Sequence, residues 1–296
     1  MLCAVYGDER LIAPRAEAER ARALSDEGAL RCPCCDEPVV FRAGRLVTAH
    51  FAHRPGAACA LGDDPDYRPE SELHLSTKLA LYDWVRARFP DARVEVEAAI
   101  PATGQRADLL AVIDGAAVAL EVQCSPLSGE AWRARHEGYA RAGVRDVWIL
   151  TGQAPRFVSI PGSARHGLPP SYRFQLRDLA ATLLHDTGEL LLAWRRVPAR
   201  GEPLFAQLQK GVPKGEGPLI AAIQGLAAHH ARGTAGPWRD RPFRDNLVIS
   251  GAYVAAAPPD ACALDPHVGL FVGTAHEAAA REALRREAVA RAASAG

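Results

Sequence analysis

The segment from residue 71 to residue 89 carries apolar residues at helical spacing. Steps of four, three, three and four residues place them on one face of a helix. The residues on this face are Leu75, Leu79, Tyr82, Val85 and Phe89. Alternating polar residues predict a strand over 93–100, and two apolar runs predict strands on either side of Asp114-Gly115. A helix over 129–142 and a strand over 144–151 complete the order α-β-β-β-α-β.

The dipeptide Asp114-Gly115 predicts a tight hairpin, because a two-residue type I′ turn needs positive φ at both central positions. Residues paired across this turn have numbers that sum to 229, so Asp108 faces Glu121. Gln123 shares the face of Glu121, and its partner by the same count is Arg106. Like charges opposed across two strands are destabilising. The hairpin therefore needs a group that compensates the two carboxylates.

Shorter elements precede this unit. The pattern predicts a hairpin over 2–6 and 9–13, a polar helix over 15–27, and the two short strands VVF and LVT joined at Ala43-Gly44. A linker rich in Pro, Gly and Asp over 54–70 separates these elements from the following helix.

Beyond residue 152 the segment LRDLAATLLHD predicts a helix, ELLLAWRRV predicts a strand, and residues 274–293 predict a terminal helix. We therefore predict three domains, over 1–65, 66–152 and 153–296. The predicted fold class is α/β of the α+β kind, with an αβββαβ core. A small β-hairpin domain precedes this core, and a mixed α/β region follows it.

Charge and composition limit the partners. The chain has 35 basic and 35 acidic residues and a net charge of +0, so a nucleic-acid contact has to come from a local basic patch. Acidic residues near the N-terminus and short apolar runs predict a cytoplasmic protein without a membrane partner. In a reducing compartment, clustered cysteines more often bind a metal than form disulfides.

Two close pairs of metal-binding residues lie near the N-terminus. Cys32 and Cys35 have C-x2-C spacing, and His50 and His53 have H-x2-H spacing. Two such pairs are typical of tetrahedral structural zinc. Because the histidine pair is one residue tighter than usual, Cys59 is an alternative fourth ligand. In the competing interpretation the cysteines are small core residues and the histidines are surface groups.

A divalent cation is the natural compensator for Asp108 and Glu121. Mg²⁺ or Mn²⁺ takes oxygen ligands, commonly one or two carboxylates, and can activate water and neutralise charge on a phosphoryl oxygen. Glu72, at the start of the predicted helix, is a third candidate, although a first-turn glutamate also has a purely structural explanation in the helix dipole. The alternative for the carboxylate pair is a salt-bridge network with Arg106.

Two pairs of residues at four-residue spacing are candidates for contacts to a DNA backbone. His74 and Lys78 lie on one helix, and Arg135 and Tyr139 lie on the other. A solvated helix surface explains the first pair equally well. An arginine packed over a tyrosine ring is the alternative for the second pair.

Several segments together resemble the CoiA-like competence protein family over residues 1–152. They are MLCAV, CPCC, HFAH, SELHLSTKLALYDWV, GQRADLLAV, ALEVQCS and VWIL. The resemblance implies a nuclease domain of the PD-(D/E)XK, restriction-endonuclease-like type behind an N-terminal zinc-binding segment. It also implies DNA, single- or double-stranded, as the substrate and competence or recombination proteins as partners.

The resemblance also implies roles for individual residues. Asp108 corresponds to the metal-binding aspartate, Glu121 to the acidic residue of the (D/E)XK element and Glu72 to the helix glutamate. Gln123 stands where the motif usually has lysine. Glutamine can orient a water molecule but carries no positive charge, so Lys78 or Arg106 would have to supply it.

Three functions follow as alternatives. The first is a Mg²⁺-dependent DNA nuclease that uses these carboxylates and Gln123. The second is a DNA-binding or recombination adapter that keeps the nuclease fold without catalysis. The third is a protein-interaction module in which the zinc segment and the carboxylates are both structural.

Overall fold

The computed structural model describes part of the chain. The described residues are 1–13, 18–44, 47–57, 59, 72–151, 156–160, 171–175, 178–194, 219–224, 227–230, 246–250, 253–257 and 259–272. The predicted helix over 274–293 lies outside them. The chain divides into two compact units, one of residues 1–126 with 134–148 and the other of 127–133 with 149–296. The predicted boundaries near residues 65 and 152 stay predictions.

The first unit opens with a small β-rich region. Strands β1 (Cys3–Tyr6) and β2 (Glu9–Ile12) form an antiparallel hairpin, helix α1 (Ala18–Asp26) follows, and strands β3 (Val39–Gly44) and β4 (Val47–His53) form a second hairpin. One apolar cluster stabilises these elements, because each element buries at least one side chain there, away from water. The cluster includes Ala4, Leu11, Leu24, Leu30, Val39 and Phe51.

A group of elements with the predicted αβββαβ order follows along the chain, with most of its residues in the first unit. Its elements are α2 (Glu72–Arg88), β5 (Arg93–Ile100), β6 (Gln105–Ile113), β7 (Ala116–Gln123), α3 (Gly129–Arg141) and β8 (Val144–Thr151). The strand order from the edge is β5-β6-β7-β8. This arrangement confirms the predicted α+β class.

The hairpin of β6 and β7 has the predicted register. Ile113 pairs with Ala116, and the pairing continues regularly to Leu109 with Leu120. The turn has φ of 50° at Asp114 and 83° at Gly115, as a type I′ turn requires. Asp108 and Glu121 are the next residues on the two strands.

The buried face of α2 differs from the predicted apolar stripe. Leu79 and Tyr82 are half-buried, whereas His74 and Lys78 are buried together with Leu81. The inner face therefore carries three polar side chains in its first turns, since Thr77 is buried as well. A count of apolar residues alone cannot locate such a face.

The second unit is also mixed α and β. Its elements are β9 (Arg156–Ile160), β10 (Ser171–Gln175), α4 (Asp178–Thr187), β11 (Glu189–Trp194), β12 (Leu219–Gln224), β13 (Ala227–His230), β14 (Asn246–Ser250), β15 (Tyr253–Ala257), a 3-10 turn (Pro259–Ala261), β16 (Cys262–Asp265) and β17 (Gly269–Val272). The end of β8 pairs in parallel with β11, and β12 pairs with β11 and β15. No helix among the described residues is both long enough and apolar enough to cross a lipid bilayer.

Candidate functional site

Four side chains in the N-terminal region form a metal-type cluster. The ligand atoms of Cys32, Cys35, His53 and Cys59 all lie within 4.8 Å of one another. Cys35 Sγ lies 3.3 Å from His53 Nε2. Zinc bonds of about 2.3 Å to sulfur and about 2.0–2.1 Å to nitrogen put tetrahedral ligand atoms about 3.5–3.8 Å apart. Three thiols and one imidazole at these distances fit zinc.

The turn that contains the cysteines directs the thiols of Cys32 and Cys35 toward the cluster. The backbone N–H of Cys34 donates to Cys32 Sγ at 3.4 Å, and the N–H of Asp36 donates to the Cys32 carbonyl at 3.0 Å. Asp36 adopts a φ of 59°, which closes the turn. Backbone donors of this kind can stabilise thiolate ligands of a metal.

His50 does not join this group, which corrects the predicted set of four ligands. Both histidines lie on β4, where side chains alternate between the two faces, so residues three apart point to opposite sides. His50 Nδ1 instead lies 2.9 Å from the carbonyl oxygen of Thr48. Cys59, the alternative ligand, takes the fourth place in the cluster.

Asp108 lies at the end of the paired stretch of β6 and is surrounded by donors. Its Oδ2 accepts the backbone N–H of Val122 at 2.9 Å and lies 3.2 Å from His74 Nε2, and its Oδ1 lies 3.4 Å from Lys78 Nζ. Burial would raise the pKa of Asp108, but Lys78, His74 and the Val122 N–H together hold it well below its usual range. Asp108 is therefore ionised at neutral pH.

His74 and Lys78 do not form the predicted exposed, phosphate-binding surface. Their side chains are 11% and 0% exposed, and both pair with Asp108. Burial would lower the pKa of His74, but the Asp108 carboxylate raises it to about 10. His74 Nδ1 also lies 3.6 Å from Cys124 Sγ. The ion pairs explain why the inner face of α2 is polar.

Glu97 on β5 is a carboxylate that sequence reasoning missed. Its Oε1 accepts a hydrogen bond from Lys78 Nζ at 2.9 Å, and both side chains are completely buried. Alternation along the strand marks Glu97 as polar. The sequence carries no signal for its burial, because its partner lies 19 residues away on a helix.

Glu121 on β7 is held by α3. Arg135 Nη2 donates to its Oε1 at 3.1 Å, and the Tyr139 hydroxyl donates to the same oxygen. Burial raises the pKa of Glu121, Arg135 opposes the rise, and the charge of Asp108 adds to it, with a net pKa of about 7. The two carboxylates therefore act on each other electrostatically.

Arg135 and Tyr139 on α3, the predicted DNA contacts, instead contact Glu121 within the protein. Tyr139 is fully buried, and Arg135 is 32% exposed with its guanidinium 5.0 Å from the centroid of the Trp148 ring. The two side chains converge on Glu121, and the stacking partner of the arginine is Trp148.

Of the three remaining candidates, Gln123 is the best defined. Its Nε2 donates to the carbonyl and hydroxyl oxygens of Ser125 at 3.0 and 3.1 Å. Burial raises the pKa of the Cys34 thiol, and the positive charge of Arg106 opposes that rise, so Arg106 acts on the cysteine turn. Glu72 begins α2, and its side chain lies outside the described residues.

The carboxylate pair, which we call the carboxylate centre (Asp108 and Glu121), has the donor chemistry of a divalent-cation site. Arg135 Nη2 and the Tyr139 hydroxyl both donate to Oε1 of Glu121, so among the described residues no donor occupies Oε2. A divalent cation would also relieve the repulsion that Asp108 contributes to the raised pKa of Glu121. The alternative interpretation is a salt-bridge network around the two carboxylates. Such ion pairs are present, but their cations are His74, Lys78 and Arg135.

Two family models match the first half of the chain. Residues 14–62 match the N-terminal domain of competence protein CoiA, and residues 70–157 match its nuclease-like domain. Residues 14–62 and 70–157 are therefore similar to the two domains of the CoiA family models. The carboxylate centre and its partners on α2 and α3 lie within the region that matches the nuclease-like domain. The zinc-type cluster lies in the region that matches the N-terminal domain.

A curated relative is similar over part of the chain. The chain is 32% identical over 119 residues to a competence protein CoiA of Bacillus subtilis (strain 168). The alignment covers 40% of the chain and spans 30% of the length of that relative. No solved structure matches the chain.

Proposed function

We propose that this protein is a divalent-metal-dependent nuclease that hydrolyses DNA phosphodiester bonds at the carboxylate centre. The observation that carries the proposal is the pair of carboxylates, Glu121 buried and Asp108 half-buried, on the neighbouring strands β6 and β7 in the region that matches a nuclease-like domain. Asp108 and Glu121 would hold Mg²⁺ or Mn²⁺. Once bound, the ion supplies positive charge to a phosphoryl oxygen and lowers the pKa of a water molecule.

The surrounding residues have separate tasks in this proposal. His74 keeps Asp108 ionised, because its charge lies 3.2 Å from Oδ2. Lys78 supplies the positive charge that Gln123 lacks, since its Nζ lies 3.4 Å from Asp108 Oδ1. The Gln123 amide is fixed through Nε2 by Ser125, which leaves Oε1 to accept a hydrogen bond from the attacking water and orient it.

The zinc-type cluster would be structural. Cys32, Cys35, His53 and Cys59 provide four protein ligands, which leaves no open position for substrate. Zinc there would hold the turn of the cysteines against β4. A part in DNA uptake, with competence or recombination proteins as partners, is included in the proposal because of the family relationship.

The experiment is cleavage of end-labelled single- and double-stranded DNA with Mg²⁺ or Mn²⁺. Asp108→Asn removes a proposed metal ligand and should abolish cleavage. Asp114→Asn makes the same chemical change in the turn of the same hairpin, where asparagine also tolerates positive φ, and should leave cleavage unchanged. Equal cleavage by wild type and Asp108→Asn would contradict the proposal.

A non-catalytic DNA-binding adapter is the second candidate. The observation that favours it is that protein cations already pair with both carboxylates, which a structural network would also show. The adapter predicts salt-dependent DNA binding that survives Asp108→Asn, together with no cleavage by the wild type in either metal. Cleavage that depends on Asp108 would eliminate it.

A further inference from the structure

Glu97 occupies an unusual position for a carboxylate. It lies within β5 with a φ of 53° and is 2% exposed. Its neighbours on β5 pair with Leu109 and Ala107 of β6, so Glu97 lies across from Asp108. A non-glycine residue with positive φ inside a strand costs free energy and persists only where its surroundings fix it.

Three groups fix the Glu97 carboxylate from the side of β1 and α2. Oε1 accepts the N–H of Leu2 at 2.9 Å and the Lys78 ammonium at 2.9 Å, and Oε2 accepts the N–H of Cys3 at 3.2 Å. Arg10 Nη2 donates to the carbonyl oxygens of Glu97 and of the preceding residue at 3.5 and 3.0 Å. The N-terminal hairpin therefore holds both the backbone and the side chain of Glu97.

The Lys78 ammonium lies between two carboxylates. Its Nζ is 2.9 Å from Glu97 Oε1 and 3.4 Å from Asp108 Oδ1. One positive charge is thus shared by two negative charges in a buried region, where Coulomb interactions are stronger than in water. His74 brings a second positive group to Asp108 at 3.2 Å. The negative charge of Glu97 is therefore needed to offset Lys78, and its loss would make the surroundings of Asp108 less favourable for an additional cation.

We propose that Glu97 is a positioning residue of the carboxylate centre. It holds the ammonium of Lys78 between itself and Asp108, and so stops Lys78 from neutralising Asp108 completely. The backbone of β1 completes the pocket of Glu97, so the N-terminal hairpin takes part in arranging the centre. This inference rests on the proposed nuclease function.

The test uses the full-length protein with its zinc retained. Binding of Mn²⁺ is measured by electron paramagnetic resonance, and DNA cleavage is measured across a range of Mn²⁺ concentrations. In Glu97→Gln, Lys78 loses the Glu97 carboxylate and offsets more of the charge of Asp108, so the Kd for Mn²⁺ should rise by about tenfold. The cleavage rate at saturating Mn²⁺ should change little. A purely structural role would lower the thermal stability without moving the Kd.

A second variant tests whether Glu97 acts through Lys78. In a Lys78→Met background, Glu97→Gln should have little effect on the Kd for Mn²⁺, because the cation that it positions is gone. An equal rise in both backgrounds would show that Glu97 acts by its own charge, which overturns the inference. If Glu97→Gln alone does not fold, the Kd for Mn²⁺ of the double variant is compared with that of Lys78→Met: equal values support the inference, and a higher value in the double variant contradicts it.

The two proposals fail differently. A wild-type protein that cleaves DNA, with an unchanged Kd for Mn²⁺ in Glu97→Gln, overturns the role of Glu97 alone. A wild-type protein that neither binds Mn²⁺ nor cleaves DNA overturns both.

Discussion

Asp108 and Glu121 lie on neighbouring strands but have opposite protonation tendencies. Asp108 has two cations and a backbone N–H within reach, which lower its pKa. Burial and the charge of Asp108 raise the pKa of Glu121 to about 7 despite the contact with Arg135. The surroundings of each carboxyl group, rather than its residue type, cause this difference between the two pKa values. At neutral pH a proton can leave Glu121 when a cation binds.

His74 should make the stability of the protein depend on pH. The Asp108 carboxylate raises the pKa of His74 from 6.5 to about 10, so the folded state keeps a proton that the unfolded chain has lost. This contribution is complete below pH 6.5 and disappears as pH rises through 10. Without added divalent metal, the free energy of unfolding should fall with pH by up to about 1.4 kcal/mol per pH unit across this window.

Urea unfolding at pH 7, 8 and 9 measures this dependence. His74→Gln should give a flatter dependence than wild type. His50→Gln, a histidine bonded to a local carbonyl, serves as the control and should keep the wild-type slope. The same slope in His74→Gln and wild type would show that His74 is not held protonated by Asp108.

Individual residues show where sequence reasoning reaches its limit. Asp108, Glu121 and Gln123 could be located from the residues because one short-range turn rule sets their register. Glu97 could not, because its burial depends on contacts with Lys78 and with the backbone of β1 far along the chain.

Strand direction decides the composition of the zinc-type cluster. The H-x2-H spacing suggests a pair of ligands, but a strand sends residues three apart to opposite faces. The spacing is informative only after the local structure is known. Cys59, which follows β4 in the sequence, has its thiol close to the ligand atoms of Cys32, Cys35 and His53.

Metal analysis of purified variants tests this cluster. The wild type should contain about one zinc per chain, since four protein ligands define a single closed site. Cys35→Ser and His53→Gln should lose the zinc. Their neighbours provide matched controls, because Cys34→Ser and His50→Gln change residues outside the group of four. Loss of zinc in His50→Gln with retention in His53→Gln would contradict the assignment.

The turn of the central hairpin tests the register on which the carboxylate centre depends. Gly115 has a φ of 83° and no atom within 4 Å of an added Cβ, so its replacement is opposed by backbone strain alone. Gly115→Ala should lower the free energy of unfolding by about 1–2 kcal/mol. Gly44→Ala also meets open space but has no positive φ, so it should be nearly neutral. Equal effects in denaturant unfolding would contradict the type I′ turn.

At the scale of elements, the order and type of most segments follow from local rules. The αβββαβ order could be predicted because each element is long and has a regular pattern. The orientation of α2 could not, since its buried face is set by ion pairs of His74 and Lys78 with carboxylates on other elements.

The whole molecule combines the two candidate centres in one compact unit. The zinc-type cluster and the carboxylate centre both lie in the unit of residues 1–126 and 134–148. The contacts of Glu97 with Leu2 and Cys3 connect the N-terminal region to Asp108 through Lys78. Because the net charge is +0, the proposed nuclease would have to bind DNA by local contacts rather than by long-range attraction.

The family models match only part of the molecule. The matches lie within residues 14–157, so most of the second unit matches neither model. Its α4 and β11 could be predicted from apolar periodicity. Its functional residues could not, because no motif in it has a defined chemistry.

The most direct measurement is the single-turnover rate of Mn²⁺-dependent DNA cleavage by wild type and Asp108→Asn under the same conditions. Loss of a ligand from the metal centre should reduce the rate by at least about 100-fold, with both proteins folded and loaded with zinc. A wild-type rate that equals the rate of the variant, or that persists without divalent metal, would contradict the assignment of Asp108 and Glu121 as the centre of a nuclease.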